Sequence, residues 1–343
     1  ITNDKVIRSK INQEPGDLLN EYKLNSNKDD LKLFKYINDV KIIRNINDNN
    51  SVNLEYFINE NKKTGNFLVG GSFSGDTGLG LTLNIKDYNI LGTGNELDAS
   101  ISSNSEKALF KILYTQYPLF NSNIKNKFSI FNEESDLSNS FGFKSQNIGI
   151  SYGLDFDYSK NSILYSSFKI SNSRGHSATK NKIHINDNIG NFQIIELSLG
   201  YSYDSTNNFL YPTNGFKNNI NFKFAPNFIS DNPYIKITYQ NDNYFENKSS
   251  NNFIFLSNRI GIANSLDGNL KTINSFSLGG LNFKGFDYRG IGPFDDNIYL
   301  GGNNYFTSSI GYGSSFLLDQ KDNINFRIFY TIGSLWDSDY SDD

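Results

Sequence analysis

From residue 65 onward, apolar and polar side chains take turns along the chain. Phe67, Val69, Gly71 and Phe73 share one parity, and Leu79, Leu81, Leu83 and Ile85 alternate with Gly80, Thr82, Asn84 and Lys86. Ile148, Ile150, Tyr152, Leu154, Phe156 and Tyr158 alternate with Asn147, Gly149, Ser151, Gly153, Asp155 and Asp157. Ile195, Leu197, Leu199, Tyr201 and Tyr203 alternate with Glu196, Ser198, Gly200, Ser202 and Asp204, and Ile324, Phe326, Ile328, Tyr330 and Ile332 with Asn325, Arg327, Thr331 and Gly333. A period of two sends successive side chains to opposite faces of a strand. Runs of roughly ten residues, apolar on one face and small or charged on the other, predict a transmembrane antiparallel β-barrel with lipid outside and water within. A soluble β-sandwich also alternates, but its strands are shorter, about 5–6 residues. Roughly thirteen barrel strands fit between residues 65 and 336. Residues 172–193 are polar and aperiodic, which predicts an exposed loop.

The first sixty residues follow another rhythm. Asp17-Leu18-Leu19-Asn20-Glu21 and Asp29-Asp30-Leu31-Lys32-Leu33-Phe34-Lys35-Tyr36-Ile37 have helical spacing, with Asp29 and Asp30 suited to a first helical turn. Val40-Lys41-Ile42-Ile43-Arg44 and Val52-Asn53-Leu54-Glu55-Tyr56-Phe57-Ile58 flank a turn at Asp48-Asn49-Asn50 and predict two strands. The expected organisation is a small α+β module over 1–60 and the barrel over 61–343.

Composition agrees with a barrel. Aromatics make up 15% of the chain, yet hydrophobic residues are only 37% and the mean hydropathy is −0.50. No apolar run approaches the roughly 18 residues of a spanning helix. With 32 basic and 36 acidic residues the formal charge is −4, which gives no electrostatic case for a nucleic-acid partner. Cysteine is absent, so disulfides and thiolate metal sites are excluded. His176 and His184 lie in the polar stretch without metal-ligand spacing and read as solvated. Neither a phosphate-binding glycine loop nor a nucleophile elbow is present. No catalytic residue, metal or cofactor is expected, and the acidic run at 337–343 reads as solvated charge. The chain begins at Ile1 without a secretory signal, which predicts a fragment of a longer protein.

One late stretch stands apart: Gly279-Gly280-Leu281-Asn282-Phe283-Lys284-Gly285-Phe286-Asp287-Tyr288-Arg289-Gly290-Ile291-Gly292-Pro293. It is too long for a hairpin turn, and long loops in ordered folds are usually functional or disordered. Phe283, Phe286, Tyr288 and Ile291 are costly to leave in water, and the interleaved glycines permit tight turns and close approach. The stretch is expected to fold back and pack, with Lys284 or Arg289 carrying charge to a partner.

A small α+β module, a following barrel and this late loop together resemble the Omp85 superfamily, over nearly the whole chain. Residues 1–60 look like a last POTRA module lacking its first strand. Asp87-Tyr88-Asn89-Ile90-Leu91-Gly92-Thr93-Gly94 is similar to the family's turn between barrel strands two and three, and Tyr211-Pro212-Thr213-Asn214-Gly215 to its mid-barrel Pro-Thr-x-Gly hairpin. Leu335-Trp336-Asp337 looks like the end of a late strand. Phe283-Lys284-Gly285-Phe286, followed by Ile291-Gly292-Pro293, resembles the family's re-entrant loop with its Val-Arg-Gly-Phe motif. The departures are specific. Lysine replaces the motif arginine and cannot make the same planar bidentate pair. The inner-wall positions that are acidic in the family fall near Gly311 and Thr331. The family barrel has about sixteen strands, so this chain is expected to carry about thirteen of them.

The resemblance implies a non-enzymatic factor that folds and inserts client β-barrel proteins into the bacterial outer membrane. It further implies a periplasmic POTRA module that binds accessory assembly lipoproteins and guides unfolded outer-membrane clients, and a barrel that touches membrane lipid. A weakly paired first strand would form a lateral gate; here it comprises Phe67, Val69, Gly70, Gly71 and Phe73. Glycine in a strand interior weakens pairing, although small residues also let a wall pack closely. The alternatives are a polypeptide translocation or secretion barrel of the same superfamily, and a passive porin-like channel.

Overall fold

The computed structural model describes residues 1–48, 51–74, 77–119, 123–177, 183–209, 211–247, 252–295, 298–314 and 326–341. Asparagines start both helices of the N-terminal module. Asn3 caps α1 (Asp4–Arg8) and Asn20 caps α2 (Glu21–Lys32), each side chain accepting from backbone N–H groups of the first turn. Such a cap satisfies donors the helix leaves unpaired. It outranks the acidic pair as a start signal, so Asp29 and Asp30 fall in the last turn of α2 rather than the first, and residues 17–20 precede the helix. Leu31 of α2 packs with Ile7, Tyr36, Ile37 and Val40 in a closed apolar core. Behind it, β1 (Ile37–Ile46) and β2 (Val52–Glu60) form the expected antiparallel hairpin; Asn49 and Asn50 of its turn lie outside the described residues.

The chain then enters one large antiparallel sheet. Its strands are β3 (Gly65–Ser74), β4 (Gly78–Asp87), β5 (Glu96–Ser103), β6 (Lys107–Gln116), β7 (Ile124–Leu137), β8 (Phe143–Ser159), β9 (Ser162–Ser177), β10 (Gly190–Asp204), β11 (Gly215–Ala225), β12 (Tyr234–Asn247) and β13 (Asn252–Ser265). A long loop carrying the small hairpin β14 (Phe294–Asp295) and β15 (Ile298–Tyr299) follows, and then β16 (Asn304–Ser314) and β17 (Phe326–Trp336). The sheet has 13 strands, each paired with its neighbour in the chain, β13 with β16 across the loop. Among the described residues β3 and β17 are its two free edges, so the barrel wall is open between them.

The faces of this sheet are inverted relative to a soluble sandwich. On β10, Leu197 and Leu199 are 45% and 57% exposed, while Glu196 and Ser198, which alternate with them, are 3% and 7% exposed. A water-soluble sheet buries its apolar parity and hydrates its charges. Only a wall with hydrocarbon outside and a polar interior makes this arrangement favourable. Ion pairs line the inner face, such as Lys127 with Asp155 and Lys169 with Glu196.

Two local expectations need correction. Among the described residues, 172–193 are not one exposed loop: β9 runs to Ser177 and β10 starts at Gly190, with α4 (Ile183–Asn186) between them. The backbone ladder continues there, so the strands persist where the apolar alternation has stopped; Ile185 closes the segment by packing on Leu137, Phe141 and Phe143. His176 is exposed on β9, and the side chain of His184 is outside the description. The last alternating run holds from Phe326 through β17, and its first two residues, Ile324 and Asn325, lie outside the described residues. The acidic tail is not plain solvated charge: Asp339 accepts from the Leu270 amide at 2.5 Å and from Asn303 Nδ2 at 2.9 Å, and Asp337 from Asn304 Nδ2. Asp342 and Asp343 lie outside the described residues.

The turn between β4 and β5 docks the module. Thr2 donates from N and Oγ1 to the Glu60 carboxylate, while Asn89 Nδ2 donates to Thr2 Oγ1 at 2.7 Å and Asn89 Oδ1 accepts from the Gly94 amide at 2.7 Å. Burial pushes the nearby Tyr36 phenol well above its usual range. Gly94 has φ +72°, and a Cβ there would lie 2.6 Å from Val6 Cγ1. Gly94→Val combines a left-handed backbone penalty of about 1–2 kcal/mol with overpacking of about 1–3 kcal/mol. The expected result is a module that swings free of the sheet, read as faster proteolytic cleavage between residues 60 and 65. An unchanged cleavage rate would refute the docking role of this turn.

Candidate functional site: the inward-folded loop

The stretch at 279–293 folds inward and closes on itself. The Gly280 amide donates to Phe286 O at 3.1 Å, the Gly290 amide to Asp287 O at 2.9 Å, and Leu278 bridges Ile291 in antiparallel register. Phe283 and Phe286 meet edge to face with centroids 5.3 Å apart, an arrangement aromatic pairs favour.

One arm of the loop lies on the last two strands. Phe283 is buried with Leu278 and Leu335, flanked by Phe276, Ile291 and Tyr305. Gly292 has φ +114° and its backbone presses on Leu335, where a Cβ would sit 2.6 Å from Cδ2. Pro293 is also buried, and its carbonyl accepts from the Leu300 amide at 2.9 Å. Gly285 and Phe286 are exposed at the tip.

Lys284 takes no carboxylate partner among the described residues. It is exposed, and its Nζ stands 5.4 Å over the Phe329 ring. Phe329 faces inward, opposite Gly311 in register and one inward position from Thr331. Lys284 therefore reaches the strip where the resemblance places acids, and meets an aromatic face instead, a weak attraction at an exposed site.

The buried cation is Arg289. Its side chain and that of Glu106 are 16% and 17% exposed, with Nη2 donating to Glu106 Oε2 at 3.4 Å. Tyr288 Oη donates to the same oxygen at 2.8 Å. The guanidinium lies between the Phe141 and Tyr288 rings, 4.8 and 4.9 Å from their centroids. Arg289 Nε and Nη1 are buried with no hydrogen-bond partner among the described residues. The backbone at Arg289 is left-handed, φ +56°, which costs a non-glycine residue energy and calls for compensating contacts.

A third attachment comes from the wall. Lys236 on β12 donates from Nζ to Asn274 O at 2.7 Å and lies 4.1 Å from the Phe276 ring centroid. Between loop and wall remains a cavity of about 510 Å³, bordered by Glu106, Glu133, Lys169, Glu196 and Lys223. No cluster with metal-ligating potential exists among the described residues. The arrangement is mechanical: it holds a loop at named points inside a polar bore. Glu106 and Lys236 had no signal in the sequence, because each sits at an ordinary turn or strand position and its partner is remote.

The expected gate strand is β3. Phe67, Val69 and Phe73 are 66%, 63% and 82% exposed on the outer face. A Cβ at Gly71 would meet nothing within 4 Å, and one at Gly70 only atoms 4.0 Å away. Close packing therefore gives no reason for either glycine.

A charged, inward-facing wall wrapped round a loop that re-enters it defines a transmembrane β-barrel protein with an internal plug. The chain belongs to the Omp85 superfamily, whose domain model matches residues 89–343. It is 30% identical over 210 residues to the outer membrane protein assembly factor BamA of Buchnera aphidicola subsp. Acyrthosiphon pisum (strain APS), a match covering 61% of this chain and 29% of that protein. Its fold is similar to the crystal structure of BamA from Haemophilus ducreyi lacking POTRA domains 1–3, with a TM-score of 0.88 at 22% identity, over 98% of this chain and 70% of that one. CdiB from Acinetobacter baumannii is more distant, with a TM-score of 0.58 at 13% identity over 97% of this chain and 61% of the other.

Proposed function

We propose that this chain forms the membrane end of an outer-membrane protein assembly factor. In this reading the barrel sits in the bacterial outer membrane and the N-terminal module in the periplasm. The module binds accessory assembly lipoproteins and guides unfolded outer-membrane clients by strand addition at its edge. The clients fold at the β3 edge of the barrel. The likeness to two BamA proteins supports this, as does membership of the superfamily. The observation that carries it is β3 itself, the first strand of the large sheet, with two interior glycines that packing does not require. An unpaired edge is a template for another strand, and interior glycine keeps its own pairing weak. Client strands that pair there exchange unsatisfied backbone groups for hydrogen bonds in lipid, which is the driving force. No catalytic residue is needed.

A second reading, which the superfamily resemblance leaves open, is a barrel that passes polypeptides through its bore. The two differ in what Gly71→Val does. Valine favours strand pairing by up to about 1 kcal/mol, so a lateral gate opens about fivefold less often. In liposomes containing the full-length protein, folding of an added denatured client barrel should slow by about that factor. A bore-conducting protein would show no change. Client folding no faster than in protein-free liposomes would sink the assembly reading.

A further inference from the structure

We propose that the cavity between loop and wall is a binding site for a phosphorylated sugar. On the inner face, Lys223 of β11 lies directly opposite Lys236 of β12 in the ladder. Like charges placed in this way destabilise a sheet. Lys217, on the same strand as Lys223, instead faces Asp204 and meets it at 3.1 Å. The lysine pair has little countercharge. Glu196 is 3.7 Å from Lys223 Nζ and is already held by Lys169 Nζ at 2.9 Å. Lys236 donates to the Asn274 and Ser275 carbonyls and has no carboxylate at ion-pair distance among the described residues. Around the cavity as a whole, the five cations of Lys107, Lys169, Lys223, Lys236 and Arg289 stand against the three carboxylates of Glu106, Glu133 and Glu196.

A second observation is independent of charge. Asn274 Nδ2, Arg289 Nε and Nη1, and Asn147 Oδ1 are buried without a hydrogen-bond partner among the described residues, and all three residues border this cavity. Buried polar groups in folded proteins are nearly always paired, so each exception calls for a reason. Three of these atoms are donors and suit an anion, as the lysines do. The Asn147 oxygen is an acceptor and suits a hydroxyl. A phosphate monoester takes several charge-assisted hydrogen bonds from ammonium groups, and its negative charge offsets the excess of cations. The volume of about 510 Å³ exceeds what a bare phosphate fills and lies within the range of roughly 300–1,000 Å³ for small-molecule sites. Ser145, Ser173 and Thr272 add polar, uncharged lining for the hydroxyls of a sugar.

Isothermal titration of the full-length protein tests the site, in polyoxyethylene detergent and phosphate-free chloride buffer with glucose 6-phosphate as the probe. The expected result is one saturable site per chain, with inorganic phosphate bound more weakly and glucose not at all. Lys223→Gln should weaken binding about tenfold, the worth of one hydrogen bond to a charged group, and Lys223→Arg should keep most of the affinity. Asn147→Ala should weaken binding of the sugar phosphate and leave inorganic phosphate unaffected. Without ligand, Lys223→Gln should not lower the urea midpoint, because it removes the like charge facing Lys236; a lysine kept for structure would show a loss. A lowered midpoint, the absence of saturable binding, or an affinity unchanged in Lys223→Gln would overturn the site. Inorganic phosphate bound as tightly as the sugar phosphate would show an adventitious ion only, and would overturn it too. The titration needs no client, so its failure is separate from failure of the assembly reading.

Discussion

Phe283→Ala should cost the folded barrel about 3–5 kcal/mol, the range for emptying a buried aromatic site, and should release the loop. Phe283 is 7% exposed and its ring sits against Gly333, where a Cβ would come within 2.8 Å of Cε2. The wall has been kept bare to receive this side chain, and nothing else in the loop can refill the space. Leu335 and Leu278 lose their shared contact, and the Phe286 ring loses its edge-to-face partner. Urea unfolding and protease access to residues 279–293 measure the two effects. Lys284→Gln is the control, an exposed residue whose change should fall within about 0.5 kcal/mol; Phe286→Ser loses only the ring pair, about 0.5–1.5 kcal/mol. An order with Lys284→Gln the most damaging of the three would reverse the assignment of which motif residue holds the loop.

That ranking marks the limit of what the chain discloses by itself. Alternation was legible because lipid and water face opposite sides of each strand, so the two parities of β8 and β10 differ in kind. The loop was legible because Phe283, Tyr288 and Ile291 among glycines are costly to leave in water; Phe286, expected to pack with them, is instead exposed at the tip. The loop's charge pairing was not legible. Arg289 and Glu106 are 183 residues apart, and Glu106 reads as a turn residue after Asn104 and Ser105. The sequence left Lys284 and Arg289 as alternatives for the loop's cation, and the ion pair in the fold is made by Arg289. In 172–193 the error had the opposite origin: ladder hydrogen bonds carry no hydropathy signal, so strands above the apolar band look like loop. At α2 two local signals competed, and the asparagine cap prevailed over acidic residues placed where the helix dipole disfavours them.

The inner wall offers the second large effect. Glu196 has a side chain 4% exposed, with Lys169 Nζ at 2.9 Å, Lys223 Nζ at 3.7 Å and the Tyr234 hydroxyl donating to Oε2. Lys236 borders the same cavity. The carboxylate thus counters several cations at once, and Glu196→Gln keeps its volume while removing that charge. Breaking a buried ion pair from one side costs about 3–5 kcal/mol, and here the freed lysines also repel one another. Lys236 would gain reason to leave Asn274 O, so loss of charge on β10 should loosen the loop as well as the wall. The expected result is a urea midpoint far below that of the parent at low salt, with loop protease sensitivity rising in parallel. Raising salt toward 1 M shortens the screening length to about 3 Å and should recover part of the deficit. A packing defect would not respond to salt in this way. Glu55→Gln, an exposed acid on β2, should leave the midpoint unchanged under both conditions. A deficit in Glu196→Gln that ignores salt would show that hydrogen-bond geometry rather than charge holds this wall together.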